Sequence, residues 1–325
     1  RQNYLYDIYI QRDNDFKDKY NFPGEGTLEN PYIIENLIMS TDKINAIRIE
    51  DVTSCFTIRN CTLILTSSVK NHDQDVYLIY IASWQSPKVT IANNTICAPF
   101  YQPDYFIIYY LNGIYIGGCE NVLIENNIFS NLDESLIMYN IETSIIVNNY
   151  CNDIFIIGFH IMSCTDALIE NNTLLNCDRS TLIMDSSGID IINNNISFCV
   201  NLGLEIYYSD FISIFNNNLN NNTIGVLILN SENINITKNW LKFNSEYGIS
   251  IENQYNENIT LYHNYFLNNF YINSSSSQAF DECNSTWYSI DLFEGNYWSD
   301  YIWAPDTVYY IDGGENFDPY PMELL

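Results

Sequence analysis

The sequence predicts an all-β fold, a parallel β-helix (solenoid) of about eleven coils, and three observations support it. One short pattern recurs eleven times, with steps of 22 to 25 residues, or 32 to 33 where a loop is inserted. One position of the pattern is asparagine in ten of the eleven copies, with apolar residues three before and two after it. The flanking segments are short and rich in β-branched and aromatic residues, and none keeps a helical apolar spacing for three turns. Three short strands and three turns in each repeat make one coil.

The recurring asparagine predicts a ladder within the turns. Asparagine tolerates the left-handed backbone conformation, and its side-chain amide can bond to the asparagine one coil above and below. We therefore expect these side chains to stack in one inward-facing column, with Cys61 taking the position in the second copy. The aligned asparagines are Asn36, Asn94, Asn127, Asn149, Asn172, Asn194, Asn217, Asn239, Asn264 and Asn296.

The ends of the chain are not repetitive, which predicts caps, because an uncapped β-helix exposes unpaired strand edges. We expect an N-terminal strand and cap segment at 1–31, one continuous β-helix at 32–301, and a C-terminal cap or tail at 302–325. Either end could cover its own coil or dock on a neighbouring chain, and we favour assembly through a detached strand at Tyr4–Ile10. The inserted loops, Thr66–Asp75 and Ala98–Asp104, should project and make contacts outside the coils.

Composition excludes several classes of partner. The formal charge of −28 and the pI near 4.1 argue against nucleic acid and anionic lipid, which require basic patches. The longest apolar runs are too short to span a membrane. No targeting or anchor segment is recognisable, so export would need one that is removed or that belongs to a longer precursor.

The nine cysteines and three histidines do not predict a metal site. Cys177 and Cys199 hold the same position in adjacent copies, within disulfide range, so a bridge between them is a candidate. No Cys-x-x-Cys motif occurs and the histidines are scattered, so we expect no metal ligands and no cofactor. Most of the thiols should be buried and unbridged.

Nine sequons are candidates for N-glycosylation, where composition alone gives about six. Those directly before a ladder residue should point outward if the ladder points inward. The candidates are Asn60, Asn93, Asn171, Asn195, Asn221, Asn235, Asn258, Asn273 and Asn284.

Two segments at the ends of the repeat region carry a family resemblance. Phe22-Pro23-Gly24-Glu25-Gly26-Thr27 leads into the first copy, and Gly295-Asn296-Tyr297-Trp298-Ser299-Asp300-Tyr301 includes the ladder position of the last copy. With these segments the chain resembles the NosD-like right-handed parallel β-helix repeat proteins, in particular their archaeal cell-surface relatives. Family members often carry an acidic Asp/Gly run before a Pro-Tyr pair, and the form at 312–320 in this sequence is weaker, so the resemblance gives only weak support to a calcium role of that run. The name also carries a copper association, which no soft-metal cluster in the sequence matches.

The remaining question is whether the protein is an enzyme. Basic residues are scarce, and Arg48, Arg59 and Arg179 lie in different copies. The acidic candidates are expected to be solvated turn residues, although they could converge across coils: Asp133, Glu134, Asp185, Glu205 and Asp210. Surface tyrosines and tryptophans could stack on sugar rings or form a subunit interface.

We therefore expect no catalytic residues and no enzymatic activity. The predicted function is an extracellular structural or adhesive protein of a cell envelope or surface filament, N-glycosylated and self-associating or bound to other envelope proteins. The alternative is a carbohydrate-binding or carbohydrate-cleaving β-helix module, for which glycans would be the partners.

Overall fold

The structure is a computed structural model that describes residues 6–66, 75–84, 86–98, 110–253, 255–269, 277–302, 304 and 307–323. It confirms the predicted class, a right-handed parallel β-helix, with about nine turns instead of eleven. The chain divides into two compact units, residues 1–167 (unit 1) and 168–325 (unit 2). The predicted boundaries at residues 31 and 301 stay predictions.

Each regular coil contributes a strand to three parallel sheets. The sheet I strand ends at the asparagine turn, the sheet II strand follows that turn, and the sheet III strand completes the coil. Three strands bend at the corner and serve both sheet II and sheet III: β12 (Ile128–Tyr139), β14 (Tyr150–Met162) and β16 (Thr173–Met184).

Unit 1 holds β12, β14 and the only helix of the described residues, α1 (Asp15–Asp18). In sheet I its strands are β2 (Tyr32–Glu35), β5 (Phe56–Arg59), β8 (Val89–Ala92), β11 (Asn121–Glu125) and β13 (Thr143–Val147). In sheet II they are β3 (Ile38–Thr41), β6 (Thr62–Leu65) and β9 (Thr95–Cys97). In sheet III they are β1 (Tyr6–Ile10), β4 (Asn45–Glu50), β7 (Val76–Ala82) and β10 (Leu111–Gly117). The strand β15 (Thr165–Glu170) spans the unit boundary.

Unit 2 repeats the plan with more regular coils. In sheet I its strands are β17 (Ser187–Ile192), β20 (Asp210–Phe215), β23 (Glu232–Thr237) and β26 (Glu257–Tyr262). In sheet II they are β18 (Asn195–Ser197), β21 (Asn218–Asn220), β24 (Trp240–Lys242), β27 (Tyr265–Leu267) and β29 (Tyr297–Trp298). In sheet III they are β19 (Leu202–Tyr207), β22 (Ile224–Leu229), β25 (Tyr247–Glu252) and β28 (Ala279–Asp281). An antiparallel pair, β30 (Tyr309–Tyr310) and β31 (Phe317–Asp318), follows.

The core of each unit is a stack of aliphatic side chains. In sheet I the strands alternate buried and outward residues, so that Ile58, Ile91 and Ile124 lie in register inside unit 1. The alternation follows from the period of two of a β-strand. Because the register is parallel, each buried residue packs on its equivalent in the next coil, and the outward residues also form columns.

The asparagines from Asn94 onward lie inside the turn and bond along each unit. In unit 1, Asn94 Nδ2 donates to Asn127 Oδ1 at 3.0 Å, and Asn127 Nδ2 donates to Asn149 Oδ1 at 3.0 Å. In unit 2 the same bond links Asn172, Asn194, Asn217, Asn239, Asn264 and Asn296 in turn, at 2.9 to 3.0 Å. Each link joins one coil to the next through a buried side chain.

Unit 2 has two further ladders that the repeat pattern did not indicate. At the corner between sheets II and III, the Asn244 amide donates to Asn269 Oδ1 at 2.8 Å, and the Asn222 backbone N–H donates to Asn244 Oδ1 at 3.0 Å. At the corner between sheets III and I, the Ser186 N–H donates to Ser209 Oγ at 3.2 Å, and the Ser209 N–H donates to Ser231 Oγ at 3.0 Å. All three corners are therefore closed by buried polar side chains.

Two details of the predicted ladder are wrong. The left-handed residue is the one directly before the ladder asparagine in the copies from Asn94 to Asn264, such as Asn93 with φ 56°, and not the ladder residue itself. In the first copy the alignment is shifted by one residue, since Asn36 is exposed with φ 58° and Ile34, not Ile33, is buried. Ile34 pairs with Ile58, which places Leu37 opposite Cys61 at the ladder position.

The N-terminal strand is paired within its own chain. Ile8 of β1 is in register with Ile47 of β4, so the strand expected to reach a neighbouring subunit adds to unit 1 instead. Phe16 of α1 is fully buried and stacks on Tyr32 with ring centroids 4.6 Å apart. Self-association through a detached N-terminal strand therefore loses its basis.

At the other end of the sequence, the last ladder residue meets a buried carboxylate. Asp318 Oδ2 accepts the Asn296 N–H at 2.7 Å and the Trp298 Nε1–H at 3.0 Å. Trp298 stacks between Phe266 and Tyr309, with centroids 4.1 and 4.0 Å away. Aromatic rings thus cover the core of unit 2 beside its last coil.

Candidate functional site

Polar and aromatic side chains gather on the outer side of sheet III in unit 1. Successive strands place Tyr9, Arg48, Tyr80 and Tyr115 in register in one outward column. Parallel pairing brings these residues together although 106 positions separate the first from the last. We call this surface the tyrosine face; it also includes Tyr77 and Asn112, in register in the next column, and Glu134 and His160 of β12 and β14.

The rings of the tyrosine face pack on one another. Tyr80 and Tyr115 are stacked, with centroids 4.9 Å apart and planes 10° apart, and Tyr77 meets Tyr115 edge-on at 5.6 Å. The Arg48 guanidinium lies over the Tyr80 ring at 4.2 Å. Because these contacts occupy ring faces, the cluster differs from the flat stacking platform expected for surface aromatics.

Two pairs of charged or ionisable groups flank the tyrosines. Arg48 Nη2 lies 2.5 Å from Glu50 Oε1, and Glu50 Oε2 accepts the Tyr9 hydroxyl at 2.9 Å. Across the column, His160 Nδ1 lies 3.1 Å from Glu134 Oε2. Both pairs are more than three-quarters buried at their side chains, so they are held in place with little screening by water.

Several polar groups of the tyrosine face are buried and shifted in acidity. Burial, with the negative charges of Asp75 and Glu134, raises the pKa of Tyr77 to about 12. Burial also raises the pKa of Asp133 to about 6, although its carboxylate accepts the Leu111 N–H at 2.6 Å. The phenol therefore stays protonated at neutral pH and acts as a hydrogen-bond donor.

Two buried atoms on this face have no partner in the described part of the chain: Asn112 Oδ1 and His160 Nε2. A buried polar atom without a partner costs about 1–3 kcal/mol. Both atoms are enclosed by the surrounding side chains, so this cost belongs to the packing of the cluster. The tyrosine face thus brings phenol groups, an amide and two ionisable pairs together in one cluster.

The structure does not bring the five acidic candidates together. Asp133 and Glu134 lie in unit 1 on β12. In unit 2, Glu205 Oε2 accepts Arg179 Nη1 at 3.2 Å on sheet III, whereas Asp210 accepts Asn233 Nδ2 at 2.8 Å at the start of a sheet I strand. Asp185 occupies a left-handed turn position, φ 51°.

The arginine candidates are each engaged in an ion pair. Besides the pairs of Arg48 and Arg179, Arg59 Nε lies 2.8 Å from Glu35 Oε2. Sequence reasoning treated these residues as isolated, and it missed Tyr77, Tyr115 and His160. The signal that finds two of them is the repeat itself, since Tyr115 and His160 each lie 12 residues before a ladder asparagine, Asn127 and Asn172.

The cysteine candidates are separate thiols. Cys177 and Cys199 are both buried and form no disulfide. Each thiol points at a backbone carbonyl two residues earlier, Cys177 Sγ at Leu175 O (3.5 Å) and Cys199 Sγ at Ser197 O (3.9 Å). The two cysteines hold equivalent positions in adjacent coils, but their sulfur atoms point at separate carbonyl groups and not at each other.

The sequon asparagines of the described residues are exposed or half-exposed. Seven of them are exposed, Asn195 is half-buried, and Asn273 lies outside the described residues. Asn60, Asn93 and Asn171 have φ between 54° and 56°, so their side chains leave the turn on its outer side. The inserted loops of the prediction also fall largely outside the described residues.

Comparison with known proteins assigns the family. A family profile described as periplasmic copper-binding protein (NosD) matches residues 100–302. The chain belongs to the NosD family. The predicted NosD resemblance is therefore confirmed, while an archaeal source stays a prediction. No curated protein matches this NosD chain. In the described residues, no helix is long and apolar enough to cross a membrane.

Solved structures similar to this NosD protein share its fold. The Dettilon tailspike protein is 13% identical, with 89% of this chain and 70% of that chain covered and a TM-score of 0.51. A periplasmic alginate epimerase is 13% identical, with coverages of 87% and 83% and a TM-score of 0.48. A surface adhesin of Streptococcus pneumoniae is 10% identical, with coverages of 89% and 92% and a TM-score of 0.37.

The prediction that the protein is not an enzyme is wrong. It excluded enzymes of this fold, and the similar structures include alginate epimerases, which are enzymes. Those matches are 10% to 15% identical, with TM-scores of 0.48, 0.42 and 0.41, so they assign no reaction to this chain.

The described residues do not fit a copper site. Copper takes imidazole, thiolate and thioether ligands. No group of three or more His, Cys, Asp or Glu that could hold a metal ion occurs in the part of the chain that the structure describes. His160 and His263 each hold a ring nitrogen against a glutamate, and burial raises the pKa of the Cys119 and Cys151 thiols to about 12, which disfavours the metal-binding thiolate. A calcium role for residues 312–320 stays a prediction.

Proposed function

We propose that this NosD protein is an adhesive β-helix of the cell envelope or exterior that binds polysaccharide on the tyrosine face. The observation that carries the proposal is the column Arg48, Tyr80 and Tyr115, with Tyr77 beside it. Sugars present hydroxyl groups in all directions, and a row of phenol, amide and charged groups on a rigid sheet can bond to several of them at once.

The geometry favours a polymer over a single small molecule. The parallel register repeats similar polar groups at the spacing of adjacent strands, about 4.8 Å. A chain of sugars can therefore meet one coil after another. A phenol is protonated at neutral pH, and burial raises the pKa of Tyr77 and Tyr115 further, so the hydroxyl groups keep their protons throughout the neutral range.

The location and covalent state belong to the same proposal. The family is described as periplasmic, and the acidic charge of −28 suits an envelope or extracellular setting. Glycans on the exposed sequon asparagines would keep these surfaces hydrated. Self-association and contacts with other envelope proteins remain part of the proposed role, through surfaces other than β1.

The test is polysaccharide binding by a variant that keeps the packing. In the double variant Tyr80→Phe and Tyr115→Phe the stacked rings remain and only two hydroxyl groups are lost. A panel of soluble neutral and acidic polysaccharides is screened by affinity electrophoresis, and the affinity for those that retard the protein is then measured. We expect the double variant to bind at least tenfold more weakly.

The matched control is Tyr208→Phe, which removes a hydroxyl from a tyrosine that is 54% exposed in unit 2. It should leave binding unchanged. Retardation by no polysaccharide, or equal affinity of the wild type and the double variant, would contradict the proposed function.

A second function, cleavage of the bound polymer, is favoured by one observation. His160 and Glu134 form a hydrogen-bonded pair on the same face as Tyr77, and His160 Nε2 is buried without a partner in the described residues. The test is the release of new chain ends from any polysaccharide that binds. Activity that persists in His160→Gln would exclude this histidine from the reaction.

A further inference from the structure

At one outward-facing turn position of unit 2, asparagine is replaced by lysine and then by histidine in two successive coils. The residue directly before the ladder position adopts positive φ in each copy from Cys61 to Asn264, and it is asparagine in the first seven of these copies: Asn60, Asn93, Asn126, Asn148, Asn171, Asn193 and Asn216. The next two members are Lys238 (φ 57°) and His263 (φ 58°). Asparagine tolerates this conformation, whereas a longer side chain costs about 1–2 kcal/mol there. Retained strain of this kind is typical of functional positions.

Aromatic residues lie directly beside these two positions. Trp240 and Tyr265, on β24 and β27, are in register and stacked, with centroids 4.2 Å apart and planes 8° apart. Lys238, Trp240 and Lys242 alternate with buried Asn239 and Leu241, so all three point outward. The column of lysine and histidine and the column of rings therefore form two walls of one depression.

The depression is a shallow pocket of about 380 Å³. Its lining residues are Asn216, Lys238, Trp240, His263, Tyr265 and Met322. His263 Nε2 lies 2.6 Å from Glu294 Oε2, so the nearest carboxylate is already engaged. The pocket thus combines an amide, an ammonium group and apolar ring edges.

The two lysines are available to an anion. In the described residues neither Lys238 nor Lys242 has a carboxylate within 4.0 Å, and each lies over an aromatic ring instead, Lys238 Nζ 5.4 Å from Phe215 and Lys242 Nζ 4.2 Å from Trp240. The chain carries 12 basic and 40 acidic residues, and in its described part these two ammonium groups have no carboxylate partner. They can therefore pair with the acid group of a ligand.

We propose that this pocket binds an acidic sugar unit, carrying a carboxylate or a sulfate. Lys238 meets the acid group, and the Asn216 amide bonds to a hydroxyl. The edges of Trp240 and Tyr265 pack against the carbon–hydrogen face of the sugar ring. Lys242 adds positive charge at the rim and strengthens binding at low ionic strength. The site shares no residue with the tyrosine face and does not depend on its function.

The test uses Lys238→Asn, which restores the residue found at the earlier turns. Because asparagine suits the left-handed position, the variant should fold and melt at the wild-type temperature or above it. The probes are oligogalacturonate for the carboxylate, a sulfated galactan oligosaccharide for the sulfate, a neutral galactan oligosaccharide and inorganic sulfate. Binding is measured by titration calorimetry and by the fluorescence of Trp240, with Trp240→Phe to assign the signal.

We expect at least one acidic oligosaccharide to bind at least tenfold more tightly than the neutral one and than inorganic sulfate. Lys238→Asn should weaken that binding at least tenfold, while Lys88→Asn, the same charge change at an exposed lysine of unit 1, changes it less than twofold. Binding that is equal for acidic and neutral oligosaccharides, equal for inorganic sulfate, absent altogether, or unchanged in Lys238→Asn would overturn the proposal. Loss of binding in the Tyr80 and Tyr115 double variant, with Lys238 intact, would assign the ligand to the other face.

Discussion

Replacing one interior ladder residue tests the physical account of the fold most directly. Asn217 Nδ2 donates to Ile191 O at 2.7 Å and to Asn239 Oδ1 at 3.0 Å. Its Oδ1 accepts the Asn194 N–H at 2.8 Å and the Asn194 Nδ2–H at 3.0 Å. Leucine has a similar size and makes none of these four bonds.

The expected cost of Asn217→Leu follows from those contacts. Each buried hydrogen bond contributes about 1 kcal/mol net, so losing four costs about 4 kcal/mol. The added apolar surface of leucine offsets part of this cost, whereas the stranded Asn194 N–H and Ile191 carbonyl add to it. We expect the free energy of unfolding to fall by about 3–5 kcal/mol.

Urea unfolding followed by circular dichroism measures this change, with the slope checked so that the two proteins lose the same surface on unfolding. The control is Asn171→Gly, at an exposed left-handed position with φ 54°, where glycine is tolerated. That variant should stay within about 1 kcal/mol of the wild type. A cost below about 1 kcal/mol for Asn217→Leu would refute the claim that the ladder stabilises the turn.

Two further predictions concern the buried carboxylate of Asp318. Burial raises the pKa of Asp318 to about 6 from 3.8, so its stabilising contribution is complete below pH 4, falls as the pH rises to 6 and is absent above it. The shift corresponds to about 3 kcal/mol, and Asp318→Asn should remove this slope from urea midpoints measured between pH 4 and 7. Gly295→Ala should destabilise the protein by more than about 2 kcal/mol, because its Cβ would lie 1.9 Å from Asp318 Oδ1; an unchanged melting temperature would show that Asp318 can move aside.

The fold was predictable because the β-helix imposes the same demands on every coil. An inward apolar residue such as Ile124 and a ladder residue such as Asn127 recur at a fixed distance, and that regularity survives in a single sequence. The register of the first copy was not predictable in this way. Ile33 and Ile34 are both apolar, so a shift by one residue keeps the pattern acceptable, and pairing with Ile58 decides between them.

The backbone role of each asparagine also required the structure. In a pair such as Asn93-Asn94 both residues suit a turn, and the sequence does not distinguish the left-handed residue from the buried one. Side-chain burial makes the distinction, since Asn94 is 1% exposed and Asn93 is exposed. The same ambiguity concealed the two corner ladders, because their asparagines and serines look like ordinary turn residues.

The candidate site was hidden by turns of unequal length. Tyr115 and His160 each lie 12 residues before a ladder residue, but Tyr80 lies 14 before Asn94 and Arg48 lies 13 before Cys61. The strand pairing places these residues in one column although the counts differ, because the turn between sheets III and I varies in length. The hydrogen-bond register of the strands aligns these residues, and that register cannot be read from their spacing in the sequence.

In a solenoid the backbone repeats, so a column of outward residues shows which positions the fold leaves free. Asparagine fills the left-handed position before the ladder residue in seven successive copies, and Lys238 and His263 depart from it at a cost in strain. His263 has a structural partner, because its ring nitrogen contacts Glu294. Lys238 has no carboxylate within 4.0 Å in the described residues, so a ligand that needs its ammonium group would give that departure a reason. Lys238→Asn separates the two cases, since it removes the strain and the ligand contact together: a more stable protein that binds no acidic sugar is the result that a binding role requires.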